Sequence, residues 1–149
     1  MKPDIELERL MDQYLPQLNL LSTMEALYKP HPSKWSKQQI MGHLIDSAQN
    51  NIRRLIIAQY EENPTILYNQ NHWVSINDYQ SQDMRDIILL WYLLNKQMCS
   101  LLKNTSDVMS QRNCTTDTSY TIEWIASDYV RHLKHHVHQV LNLEALPYP

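Results

Sequence analysis

A single glycine, Gly42, serves all 149 residues. Hairpin turns and phosphate-cradling loops both rely on glycine for positive φ, so a chain with one glycine is poorly suited to a β-rich or a doubly wound nucleotide-binding fold. Long helices joined by Pro, Asn and Asp loops are the alternative that such a chain can build. A hydrophobic content of 43% suffices for one core, and the length fits one domain covering residues 1–149.

Helical spacing of apolar residues marks out four long elements. Leu7, Leu10, Met11, Tyr14, Leu18 and Leu21 predict a first helix between Asp4 and about Leu27, with a kink or break near Pro16. Lys29-Pro30-His31-Pro32-Ser33 cannot continue it. Ser36 followed by Gln39 is the pattern of a capping box, with Trp35 placed to staple onto Ile40, so a second helix starts there and runs to about Tyr60. Residues 61–80 read as a long irregular loop, able to fold over a pocket mouth. A third helix follows from about Ser81 to Lys103, with Trp91 and Met98 in the core. After a polar linker, Asn104 to Ser119, Thr121 caps a fourth helix that places Trp124 in the core as well. Four helices of about 20 residues match an all-α four-helix bundle of the up-down type with a longer middle loop.

Two of these helices carry residues that a core does not need. On the last helix Ile125, Tyr129, His132, His136, Val140 and Leu143 follow one another at steps of three and four, which turns His132 and His136 inward. As i, i+4 neighbours their Cβ atoms lie roughly 5–6 Å apart, so both imidazoles can reach one metal ion. His135 and His138 fall on flanking faces, where an i, i+3 pairing would need an exposed site. The second helix has a polar inward stripe of His43, Ser47, Asn50 or Asn51, and Arg54. Each unsatisfied buried polar group costs about 1–3 kcal/mol, so the stripe suggests a lined pocket, and His43 supplies a third imidazole facing the other two. Three neutral imidazoles bind a divalent transition metal and leave positions for water or substrate. Asp46 and Asp128, each one turn from a candidate ligand, are placed to orient the rings from outside, or for Asp46 to ligate directly. Arg54 reads either as an anion anchor or as a surface cation, and His72 as a residue of the loop over the pocket. The lone Gly42, beside His43, implies close approach of a backbone or a ligand.

Trp35-Ser36, the run Gly42 to Ala48 followed by Asn50-Asn51, and Asp128-Tyr129-Val130 leading into His132 to His136 resemble the DinB/YfiT superfamily, as do Tyr68-Asn69-Gln70 and Trp73-Val74 in the middle loop. The similarity spans nearly the whole chain. It implies a four-helix bundle, often a homodimer, with nickel or zinc held by one histidine of the second helix and an HxxxH pair of the last. Residue by residue that gives His43, His132 and His136, the trio that spacing selects. It also implies a metal-dependent enzyme acting on a small molecule, either a hydrolase or a transferase that uses a low-molecular-weight thiol. Bacillithiol S-transferases and mycothiol-dependent isomerases are among such enzymes. A non-catalytic helical dimer with a structural or sensing metal is the other function class open to this sequence.

Further expectations are negative. A net charge of -3 with no basic tract argues against nucleic acid. No apolar run is long enough for a signal or a membrane span, which predicts a soluble, cytoplasmic protein. Cys99 and Cys114 lack the spacing of a disulfide or zinc framework and read as free thiols.

Overall fold

The computed structural model describes residues 1–149. Four long helices form the bundle: α1 (Pro3–Leu18), α3 (Lys37–Ile57), α5 (Met84–Asn104) and α7 (Ile122–Leu141). Between them lie the short helices α2 (Thr23–Leu27), α4 (Gln70–Asn77) and α6 (Asp107–Ser110), and a two-stranded antiparallel hairpin, β1 (Asn113–Thr115) with β2 (Ser119–Thr121). Helix starts follow their caps. Ser36 and Gln39 make the full capping box at the head of α3, and the Thr121 side chain accepts from the Trp124 amide at the head of α7. Pro16 sits inside α1 without breaking it, and the helix stops two residues later. With glycine absent from the turns, Asn63, Asp78 and Asn142 take the positive-φ positions, the last two as caps of α4 and α7.

The four-helix bundle stands, but its chain direction departs from a simple up-down order. Gln38, at the head of α3, donates to the Tyr79 and Gln82 carbonyls just before α5, while Gln59, beyond the foot of α3, donates to Thr105 beyond the foot of α5. These two helices therefore run parallel. The start of α1 meets the end of α5 through Cys99 and the Asp4 carbonyl, and Tyr14 in its second half meets His138 near the end of α7. The order is up, down, down, up, with α1 and α3 on one diagonal and α5 and α7 on the other. Residues 58–83 must travel back along the length of α3, roughly 30 Å. That crossover is not irregular throughout: α4 and a 3-10 turn at Tyr79–Ser81 lie within it. The linker expected from Asn104 to Ser119 likewise contains α6 and the first strand.

A continuous core runs between the four helices, with Leu7, Tyr14, Leu44, Leu55, Trp91 and Leu133 among its fully buried side chains. On α7 the centre of the buried stripe is Tyr129, Val130, Leu133, Val137 and Val140. His132 and His136 lie one step to its side and are half-buried, and Leu143 lies beyond the helix. Trp124 is also outside the core: 40% exposed, it stacks on Tyr120 at a centroid distance of 3.7 Å. No helix is long and apolar enough to cross a membrane.

Candidate metal centre

Two antiparallel helices bring three imidazoles together. His43 on α3 is buried, and its Nε2 lies 3.0 Å from His132 Nε2 on α7. His136, one turn on, stands edge-to-face with both rings, at 4.9 Å from His43 and 4.6 Å from His132 between centroids. One nitrogen from each ring falls within 4.8 Å of the others. Burial above all lowers the pKa of each ring, to about 4 for His43 and about 2 for His132, with His136 adding to the effect on both. His136 is lowered too, again by burial first and despite its bond to Gln139. All three are thus neutral near pH 7, with lone pairs available for a cation.

The donor set fits a divalent transition metal. His43 and His132 would hold it through their Nε2 atoms, which lie 3.0 Å apart. His136 Nδ1 is 2.8 Å from Gln139 Oε1 and must donate to it, which fixes the proton on Nδ1 and frees Nε2. His132 Nδ1 has Ser47 Oγ at 3.4 Å. His43 Nδ1 alone has no partner. The Trp35 ring covers His43 at 5.1 Å, and the Tyr148 ring stands edge-on to His132 at 5.2 Å.

Neither expected carboxylate reaches a ring of the trio. Asp46 is fully buried but accepts from the Tyr79 hydroxyl and the Asn77 amide, and its second oxygen is unpartnered. Burial raises its carboxyl to about 6, against the lowering effect of the Tyr79 bond. Tyr79 also explains Gly42: a Cβ there would overlap its ring, so the nearest approach is that of a side chain. Asp128 accepts from Arg131 and from the Tyr148 hydroxyl at 2.8 Å, so it acts on His132 only by holding the tyrosine against it.

A cavity of about 830 Å³ opens beside the trio. Its wall includes Ser47, Asn51 and Arg54, as the polar stripe predicts, together with His132, His136 and Tyr68. Asn50 is not part of it: the side chain donates to the Asp46 carbonyl within α3. His72 sits exposed on α4, away from the wall. Although His135 lines the cavity beside His136, neither His135 nor His138 joins the trio. Their Nδ1 atoms lie 2.6 and 2.7 Å from the Leu146 and Glu144 carbonyls, and His138 Nε2 accepts from the Tyr14 hydroxyl. These bonds strap residues 142–149 back along α7 and set Tyr148 in the cavity wall, a role for which the sequence offers no signal beyond an aromatic between two prolines.

A family model for the DinB superfamily matches residues 6–140. The chain belongs to the DinB superfamily. Curated relatives of this DinB chain include an Oceanobacillus iheyensis protein, 33% identical over 73% of the chain, and the Bacillus subtilis protein YfiT, 27% identical over the same share. Each is named "putative metal-dependent hydrolase", and the matched segment spans 64% of its length. Among solved structures, that of B. subtilis YfiT, described as a four-helix bundle of unusual topology, superposes with a TM-score of 0.86 over 95% of this chain and 83% of that one, at 22% identity. The mycothiol-dependent maleylpyruvate isomerase superposes with a TM-score of 0.71 over 97% of this chain and 60% of that one, at 14% identity. At those identities the likeness is one of fold, and its crossover bundle is the one described above.

Proposed function

We propose that His43, His132 and His136 hold a divalent transition metal, zinc or nickel, and that the protein is a metal-dependent enzyme acting on a small molecule in the adjoining cavity. The observation that carries this reading is the convergence of three neutral imidazoles from two helices, two of them, His132 and His136, in the wall of an 830 Å³ cavity. When bound, the ion supplies a nucleophile near neutral pH by lowering the pKa of a coordinated water or thiol. The names of the curated relatives favour water and hydrolysis. The name of the isomerase neighbour brings in a low-molecular-weight thiol as the other candidate.

The chain's own residues supply the rest. Gln139 holds His136 in the tautomer that frees Nε2. Trp35 and Tyr148 cover two of the rings. Ser47 and Asn51 offer neutral donors and acceptors along the wall, and the Tyr68 hydroxyl, held protonated by burial, adds another. An exposed apolar strip of Leu89, Leu90 and Leu93 on α5 supports a homodimer as part of the same reading.

The test is elemental analysis of zinc- and nickel-loaded protein, wild type and His132→Ala, followed by assays with ester, amide and thiol-transfer substrates. One ion per chain in wild type, none in the variant, and turnover that follows the ion is the expected result. Wild type that retains no ion ends the proposal. Retained metal whose removal melts the fold, with no turnover on any substrate, would instead assign the ion a structural role.

A further inference from the structure

Arg54 is the one cation of the cavity wall with no carboxylate partner. It is half-buried on α3, and the ion pairs of the molecule do not include it. Of its five N–H groups, Nε and Nη2 each give one to the Ile66 carbonyl, at 3.1 and 2.9 Å, and Nη1 gives one to Asn51 Oδ1 at 3.2 Å. Two are left over. The Tyr68 ring lies 5.6 Å from the guanidinium carbon, which adds to its fixing. Burial lowers its pKa, against the raising effects of Tyr68, Cys114 and the more distant Asp117 and Asp128, though not enough to neutralise an arginine. A half-buried cation held by neutral acceptors, with donors to spare, is the arrangement that a bidentate anion completes.

The other charges of the wall do not supply that anion. Asp128 is engaged by Arg131 and Tyr148, and Asp117 accepts from the Thr116 hydroxyl at an exposed position. The two arginines and two aspartates of the wall cancel. Three neutral imidazoles add nothing, so a divalent ion held by them would give the cavity a net positive charge that no side chain offsets. A hydrogen-bonded line connects the two ends: His132 Nδ1 to Ser47 Oγ, Ser47 Oγ to Asn51 Nδ2, and Asn51 Oδ1 to Arg54 Nη1. Ser47 and Arg54 are seven residues apart on one helix, about 10 Å along its axis.

We infer that the cavity takes a substrate bearing a carboxylate, docked on the Arg54 guanidinium about two helical turns along α3 from Ser47, which meets His132. The inference rests on the metal-enzyme reading only for what sits at the far end; the recognition of a carboxylate is Arg54's own. A neutral substrate of the same shape leaves the half-buried cation without compensation, so the cavity discriminates by charge.

Calorimetric titration with adipate and with its uncharged diamide, adipamide, tests this on metal-free and zinc-loaded protein. Wild type is expected to bind adipate at least tenfold more tightly than adipamide in both forms. Arg54→Gln should remove most of that preference, and Arg54→Lys, which keeps the charge but loses the fork, should retain part of it. Equal binding of the two probes by metal-free wild type overturns the inference whether or not either variant folds. So does a folded Arg54→Gln that keeps the wild-type preference. A chain that binds no metal yet prefers adipate through Arg54 overturns the metal-enzyme reading and keeps this one, and a chain that binds metal without the preference does the reverse.

Discussion

His132 and His136 share two turns of α7 with His135 and His138, and the four rings have the same intrinsic chemistry. Their neighbours divide them. The first pair faces His43 across the helix interface and keeps its Nε2 atoms uncommitted to the rest of the chain. The second pair spends its Nδ1 atoms on the carbonyls of residues 144 and 146, and His138 spends its Nε2 on Tyr14. One residue of rotation on a helix, about 100°, thus separates a candidate ligand from a clamp for the chain end. Histidine count within a segment says little until the partner of each nitrogen is known.

The sharpest way to break this division is to remove one ring from each side. His132→Ala or His136→Ala should weaken zinc affinity by more than a hundredfold, whereas His135→Ala should leave it within a few-fold. Competition with a chromophoric chelator measures both, and an equal loss in His135→Ala would erase the distinction. Protonation probes the candidate-ligand side through His43. His43 takes up its proton at about 4 in the folded chain and near 6.5 when unfolded. Between those values the unfolded state binds more protons, so the metal-free protein should lose stability as pH falls from 6.5 to 4, by roughly 3 kcal/mol from this ring alone. Asp46, raised to about 6, works in the opposite direction below that pH. Urea unfolding of wild type and His43→Asn at pH 7 and 4.5 isolates the histidine; identical pH slopes would contradict it.

On the clamp side, His138→Ala removes the bonds to Tyr14 and the Glu144 carbonyl and should cost about 1–3 kcal/mol of stability with zinc affinity unchanged. Coupled losses of both would mean that the pairs are not independent. Gln139 touches each side, bonding His136 Nδ1 and His135 Nε2. Gln139→Leu should therefore lower zinc affinity by about tenfold, less than loss of a ligand. The smallest effect belongs to Tyr148→Phe, which deletes one half-exposed bond to Asp128, at about 1 kcal/mol or less by thermal melting.

Much of this arrangement is legible before any coordinates. The Ser36 capping box and the Thr121 cap announce their helices because a few local atoms decide them. Spacing together with the family resemblance points to the His43, His132 and His136 grouping, although His132 and His136 flank the buried stripe instead of centring it. What spacing could not resolve lies between adjacent or non-local choices. Asn50 and Asn51 differ by one step of rotation and both donate to the carbonyl four residues back, yet only Asn51 lines the cavity. The partners of Asp46, Tyr79 and Asn77, come from a crossover whose path no local pattern encodes. The parallel run of α3 and α5 is likewise a choice among packings that an apolar face permits equally.

That crossover also bears on when the site can come into being during folding. Neighbouring helices in an up-down bundle close quickly as hairpins, but here His43 and His132 are 89 residues apart, and α7 is the last long helix to emerge from a ribosome. Loop-closure entropy for so distant a pair is met only after most of the bundle exists. A chain interrupted before α7 would hold His43 alone, so metal capture should report the completed fold and not its nucleus.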